Sequence, residues 1–187
     1  PSKIGSITQV FTNKTAWQTL FSLSKIEFLS ILKSPVYIIL LLIGIIFSIF
    51  SIYNVNELYG TPNLPLTRYV VTYVNGIISF LSIVILVIYA GEAVHRTRNN
   101  RTFVFYDALP ITNASLYFSK IISLTGIAIV LALTNILIGI LFQSFNGYFQ
   151  YDLGMYFIYN FVLVFPTFLV TILLSFFIHV MVNNKFL

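Results

Sequence analysis

The residues suited to chemistry in this chain are gathered in one stretch, Tyr89 to Lys120, YAGEAVHRTRNNRTFVFYDALPITNASLYFSK. It holds four of the ten Lys and Arg and two of the five Asp and Glu. Glu92 opens it, followed by Arg96, Arg98 and Arg101. An aromatic run through Phe103 and Phe105 comes next, then Asp107, Leu109 and Pro110, with Ser119 and Lys120 at the close. This is the chemistry of recognition. Guanidinium groups anchor on carboxylates or phosphates, and aromatic rings in a polar loop offer apolar area to a partner. No phosphate-binding GxxxxGK[ST] loop and no HExxH pair occurs, so ATP hydrolysis or peptide cleavage would need another segment or subunit. His95 and His179 do not form a metal set, since zinc sites want three or four ligands.

The elements that must position this stretch are apolar. Hydrophobic residues make up 58% of the chain and charged residues 8%, against about 25% charged in soluble domains. So little charge could not cover a water-facing surface, and the class is an integral membrane protein. There is no cysteine, which excludes disulfides and thiolate metal sites. No cleavable signal peptide is visible. The start at Pro1 and the abrupt end at Leu187 lead to the expectation of a piece of a longer protein.

Four uncharged stretches are each long enough to span, since about 20 apolar residues cross a bilayer. They place spans at about 35–54, 69–91, 116–142 and 153–182, within a single transmembrane domain over 1–187. Pro35 sits where a first helical turn tolerates it, and Pro166 should kink or split the last span. Residues 16–33 read as an interfacial helix, with Trp17, Leu20, Phe21, Phe28, Ile31 and Leu32 on one face. The loop 92–114 is then the polar connection between the second and third spans. The expected fold is an all-α, polytopic transmembrane bundle with an N-terminal interfacial helix and a cytoplasmic segment at 92–114. With both ends cytoplasmic, nine of the ten Lys and Arg lie inside and only Arg68 outside, a strong positive-inside signal. The three Asn-x-Ser/Thr matches, at Asn13, Asn100 and Asn113, then face the cytoplasm and are chance matches.

Polar residues recur inside the spans. Thr72, Asn75, Ser79 and Ser82 follow one helix face of the second. Asn160, Thr167 and Thr171 follow a slowly drifting face of the fourth. Two readings compete: a polar lining to a substrate path, or hydrogen bonds between packed helices. The second is favoured, because no charged residue sits in mid-membrane.

The arrangement in the central stretch resembles the permease subunits of ABC exporters of the ABC-2 type. In that family a Glu ends the second span. A basic or glycine-containing turn follows, then an acid or apolar run ending in Leu-x-Pro or Leu-Pro, then Ser/Gly-Lys at the start of the third span. Glu92, Arg98, Asp107, Leu109, Pro110, Ser119 and Lys120 match, and the resemblance covers nearly the whole chain. It is closest to bacterial permeases fused to a zinc aminopeptidase domain, on Tyr89-Ala-Gly-Glu92, Asp107-Ala-Leu-Pro110 and Asn183-Asn-Lys185. Such permeases have six spans per module, so the missing spans and any peptidase would follow Leu187.

The resemblance implies that the loop is a coupling helix docking on a separate ABC ATP-binding subunit. Glu92, Arg96, Arg98, Arg101, Asp107, Pro110 and Lys120 would anchor or transmit motion, while Phe103, Phe105 and Leu109 pack at the interface. It implies no catalytic residue, cofactor or metal in this chain, ATP on the partner, and a second permease module or a homodimer. It also implies a bacterial cytoplasmic (inner) membrane and no nucleic acid. The alternative is a non-transporting membrane anchor for a fused peptidase.

Orientation is open to direct test. A cysteine placed at Asn63 should react with an impermeant thiol reagent from outside the cell, and one at Asn100 should not. The opposite pattern would invert the topology.

Overall fold

Hydrocarbon offers no partner to a backbone N–H or C=O, so an apolar stretch in a membrane must satisfy its own as a helix. The computed structural model describes residues 13–55, 57–58, 61–62, 64–99 and 113–182. Helix α1 runs Asn13–Leu32, α2 Pro35–Val55, α3 Thr67–Asn99 and α4 Asn113–Phe145. The last rod is built from α5 (Leu153–Phe157), a π-helical segment (Ile158–Val164) and α6 (Phe165–Met181). Between α2 and α3, two short strands, β1 (Glu57–Leu58) and β2 (Thr61–Pro62), pair antiparallel with Glu57 opposite Pro62. Apart from this small hairpin the described architecture is all-α, as the composition requires.

Thr67–His95, Ala114–Phe145 and Leu153–Met181 are each long and apolar enough to cross a membrane. The remaining candidate is the pair α1 and α2, which meet at a 60° bend. Pro35 explains the break: it disfavours helix at Ser34 and is itself tolerated at the first helical position. Helix α2 has 21 residues, about 31 Å at 1.5 Å per residue, close to a hydrocarbon core.

Helix α1 lies along α4, and this contact divides its apolar face. Ser24 and Ile31 are buried, and Phe28 packs on Gly126, where a Cβ would come within 3.0 Å of its ring. Nearer the start of the helix on the same face, Trp17 and Phe21 stack on each other at 6.2 Å and are 62% and 61% exposed. A helix pressed against a bundle on one side and facing lipid on the other needs apolar residues on both. Ile26 and Leu29, 64% and 38% exposed, supply the outer side.

Helices α3, α4 and α6 enclose the main core, where Ile85, Leu86, Leu124, Ile127, Phe168 and Ile172 are almost wholly buried. Lipid tails are as apolar as these side chains, so close packing holds the helices together more than expulsion from water. Half of the apolar window of α3 and of α4 is buried within the chain, but only 22% of that of the last rod.

The π-helical segment is where Pro166 is accommodated. A proline in an α-helix lacks the N–H and clashes with the carbonyl one turn back. Here the Phe165 N–H bonds to the Asn160 carbonyl, a wider turn of the kind seen at π-bulges. The expected disruption is therefore a change of hydrogen-bond register, and the rod continues as one 29-residue span.

Polar side chains tie the far end of the bundle, opposite Glu92. Asn135 on α4 donates to Asn160 Oδ1 at 2.9 Å and to Asn75 Oδ1 on α3. Asn75 and Asn160 donate in turn to the Val71 and Tyr156 carbonyls, each at 2.9 Å. One turn further out, the Tyr156 hydroxyl donates to Gln143 Oε1 at 2.8 Å. The Gln143 amide reaches the Pro65 carbonyl at 2.8 Å and Thr67 Oγ1 at 3.1 Å. Three chain segments are thus joined by one run of hydrogen bonds.

Gly139 makes that run possible, because a Cβ there would lie 2.6 Å from Tyr156 Cε1 and 2.7 Å from its hydroxyl. Gly139→Ala should push the ring off Gln143 and destabilise by about 1–3 kcal/mol, the usual scale for overpacking. Gly76→Ala, where a Cβ meets nothing within 4 Å, should be neutral or raise stability by about 0.5–1 kcal/mol. Thermal unfolding in detergent measures both, and equal effects would contradict the packing described.

Candidate functional site

Helix periodicity decides what the Glu92 end of α3 presents. Tyr89, Ala90, Ala93 and Val94 fall on the inward face and are buried. Glu92 lies between them in sequence and on the outside, exposed. Helix α4 starts beside this end, and the two are tied by Lys120, whose ammonium donates to the Ala93 carbonyl. The rest of Lys120 is buried, its apolar stem running along packed helices. Ser119 and Ser123 beside it are also buried and bond the Leu116 and Lys120 carbonyls at 2.8 Å.

The two histidines meet at this end. His95 on α3 and His179 in the last turn of α6 are both buried, their rings edge to face with centroids 5.8 Å apart. Gly91 permits the approach, since a Cβ there would sit 2.9 Å from the His179 ring. Among the described residues no three His, Cys, Asp or Glu converge on a point that could hold a metal.

A cleft of about 340 Å³ opens between the α1–α2 elbow and α3. Glu27, Ser30 and Ser34 line one wall and Tyr89 and Glu92 the other. Two of the chain's five acids therefore share one cleft. The Tyr89 hydroxyl donates to Ser34 Oγ at 2.7 Å, across 55 positions of sequence.

The expected site residues are distributed as follows. Glu92 and Lys120 flank the ends of α3 and α4, one exposed and one buried. Arg96 and Arg98 fall in the last turns of α3. Arg101, Phe103, Phe105, Asp107, Leu109 and Pro110 lie outside the described residues. Of the two polar stripes, Asn75 and Asn160 come together through Asn135. Ser82 is buried and Ser79 half-buried. Thr72 and Thr167 lie on the outer surface. Thr72 and Thr171 bond the Arg68 and Thr167 carbonyls of their own helices at 2.9 and 2.8 Å.

Sequence reasoning did not single out Asn135, Gln143, Ser34 or Glu27. A signal existed for the first two: a carboxamide in an apolar span needs a partner, and they lie eight residues apart on nearly one face. No comparable signal marks Ser34, which reads only as the residue before a proline.

No curated protein and no solved structure matches the chain. The family model described as ABC-2 family transporter protein matches residues 23–187, the greater part of the sequence. The match gives no support to a fused aminopeptidase. With this match over most of its length and its apolar helices, the chain belongs to the ABC-2 transporter family, as a multi-pass membrane component.

Proposed function

We propose that this chain is the permease part of an ATP-driven exporter. A separate ATP-binding subunit docks on the cytoplasmic stretch 92–114 and supplies all of the ATP chemistry. The reading rests first on the family match over residues 23–187. The link from the Lys120 ammonium to the Ala93 carbonyl supports it, because it joins the two helices that enter and leave that stretch. A push on the loop would then move α3 and α4 as a pair. The arginines would anchor the loop on acidic or phosphate groups, and Phe103, Phe105 and Leu109 would fill the interface.

The small buried share of the last rod leaves apolar surface for lipid or for a second permease module. Outward-facing Val170, Leu173, Leu174 and Phe177 are each more than half exposed. On this reading both ends of the chain face the cytoplasm of a bacterial cell, and the bilayer is its inner membrane.

The docking role is tested by Phe105→Ala in the full-length protein. Truncating a central aromatic at an interface costs about 2 kcal/mol or more, roughly a thirtyfold loss of affinity. The ATP-binding subunit should co-purify poorly and its permease-dependent ATPase should fall, while the permease still inserts and folds. If the rings only rest among lipid headgroups, both measurements stay at the wild-type level and the docking role is lost.

A further inference from the structure

The α1–α2 elbow and the Glu92 end of α3 face each other across the cleft, and beside it Ile31 and Tyr37 pack in the same core as Tyr89, Ala90 and Val94. Ser34 stands at the bend itself. Its N–H bonds to the Ile31 carbonyl at 3.0 Å, and its carbonyl accepts from the Ile38 N–H at 3.2 Å. The backbone of Ser34 therefore belongs to both helices, and its side chain is held by Tyr89 on the third. Tyr89 is itself fixed. Its ring is 3% exposed within the main core, and Tyr37 of α2 lies edge-on to it at 6.3 Å. The bond is part-buried at the wall of the cleft, where a hydroxyl removed from water is costly to leave unpaired.

We propose that Tyr89 is a positioning residue that makes the elbow follow the Glu92 end of α3, through its hydroxyl bond to Ser34. This rests on the docking reading above, in which α3 is displaced when the ATP-binding subunit closes. The bond acts at the one point shared by α1 and α2, so a small shift of α3 there re-aims both helices. A phenylalanine at this position keeps the ring and its packing and removes only the link.

The chain has no cysteine, so spin labels can be placed singly. In the complex with the ATP-binding subunit, reconstituted in lipid nanodiscs, one label pair joins Lys33→Cys to Phe145→Cys and reports the elbow. A second pair joins Ile88→Cys to Phe145→Cys and reports the end of α3. Distances are compared without nucleotide and with ATP plus vanadate. Helix shifts of this kind are about 1–2 Å. Both pairs should shift in the wild-type background. In Tyr89→Phe the α3 shift should persist and the elbow shift should fall by at least half. Ser34→Ala should do the same, and the double variant should be no worse than either alone, as expected of two ends of one bond. Unfolding temperatures close to wild type in both variants separate positioning from loss of fold. An elbow shift that survives both substitutions overturns the joint and leaves the docking reading standing. If neither pair moves in the wild type while the subunit remains bound, α3 is not displaced, and the docking mechanism falls together with the joint.

Discussion

A carboxamide in hydrocarbon has to find partners, and Asn135 finds them on two other helical segments at once. Both of its N–H bonds are used, one on Asn75 of α3 and one on Asn160 of the π-helical segment. The acceptors are fixed in turn, because each spends its own amide on a carbonyl of its own helix. The hydrophobic effect does little to bring helices together inside a bilayer. Directional contacts of this sort therefore specify which faces meet. The seat of Tyr156 on Gly139 and the reach of Gln143 to Thr67 go with that alignment.

The two ends of the bundle are held differently. At the Asn135 end, consecutive hydrogen bonds cross three segments. At the Glu92 end the main apolar core packs the helices together, and single contacts are added to it: Lys120 to Ala93, Tyr89 to Ser34, and the rings of His95 and His179. A cleft lies among them. Partial opening goes with motion, whereas a polar network shared by several segments rigidifies, although Asn135 Oδ1 is itself left without a partner.

Much of the fold was legible because hydrocarbon imposes simple rules on length and charge. Three of the four uncharged stretches became helices long and apolar enough to span, the first became α2 of the bent pair, and Pro35 marked the bend after α1. The disruption at Pro166 could also be anticipated. Its form as a π-helical turn could not, since that depends on where the freed carbonyls find donors. The polar stripes were half legible. Asn75 and Asn160 stood out, but periodicity is a property of one helix and cannot name the partner on another. It also cannot tell inward from outward when both faces are apolar, which is why Thr72 and Thr167 read like Asn75 and lie on the surface. Tyr89 and Ser34 are 55 residues apart, and only the packing brings them together. The family was legible in the central stretch, through residue types and order rather than any pattern of burial.

The central claim is that the three asparagines act as one unit. It is tested most directly by unfolding Asn135→Leu beside the triple variant in which Asn75, Asn135 and Asn160 are all Leu, in the same lipid or detergent. Removing Asn135 alone strands two buried acceptors, each costing about 1–3 kcal/mol, whereas replacing every partner with apolar groups can be nearly neutral. The account predicts that the triple variant is no less stable than the single one. A triple variant destabilised by the sum of three separate Leu substitutions would show three independent residues and contradict it.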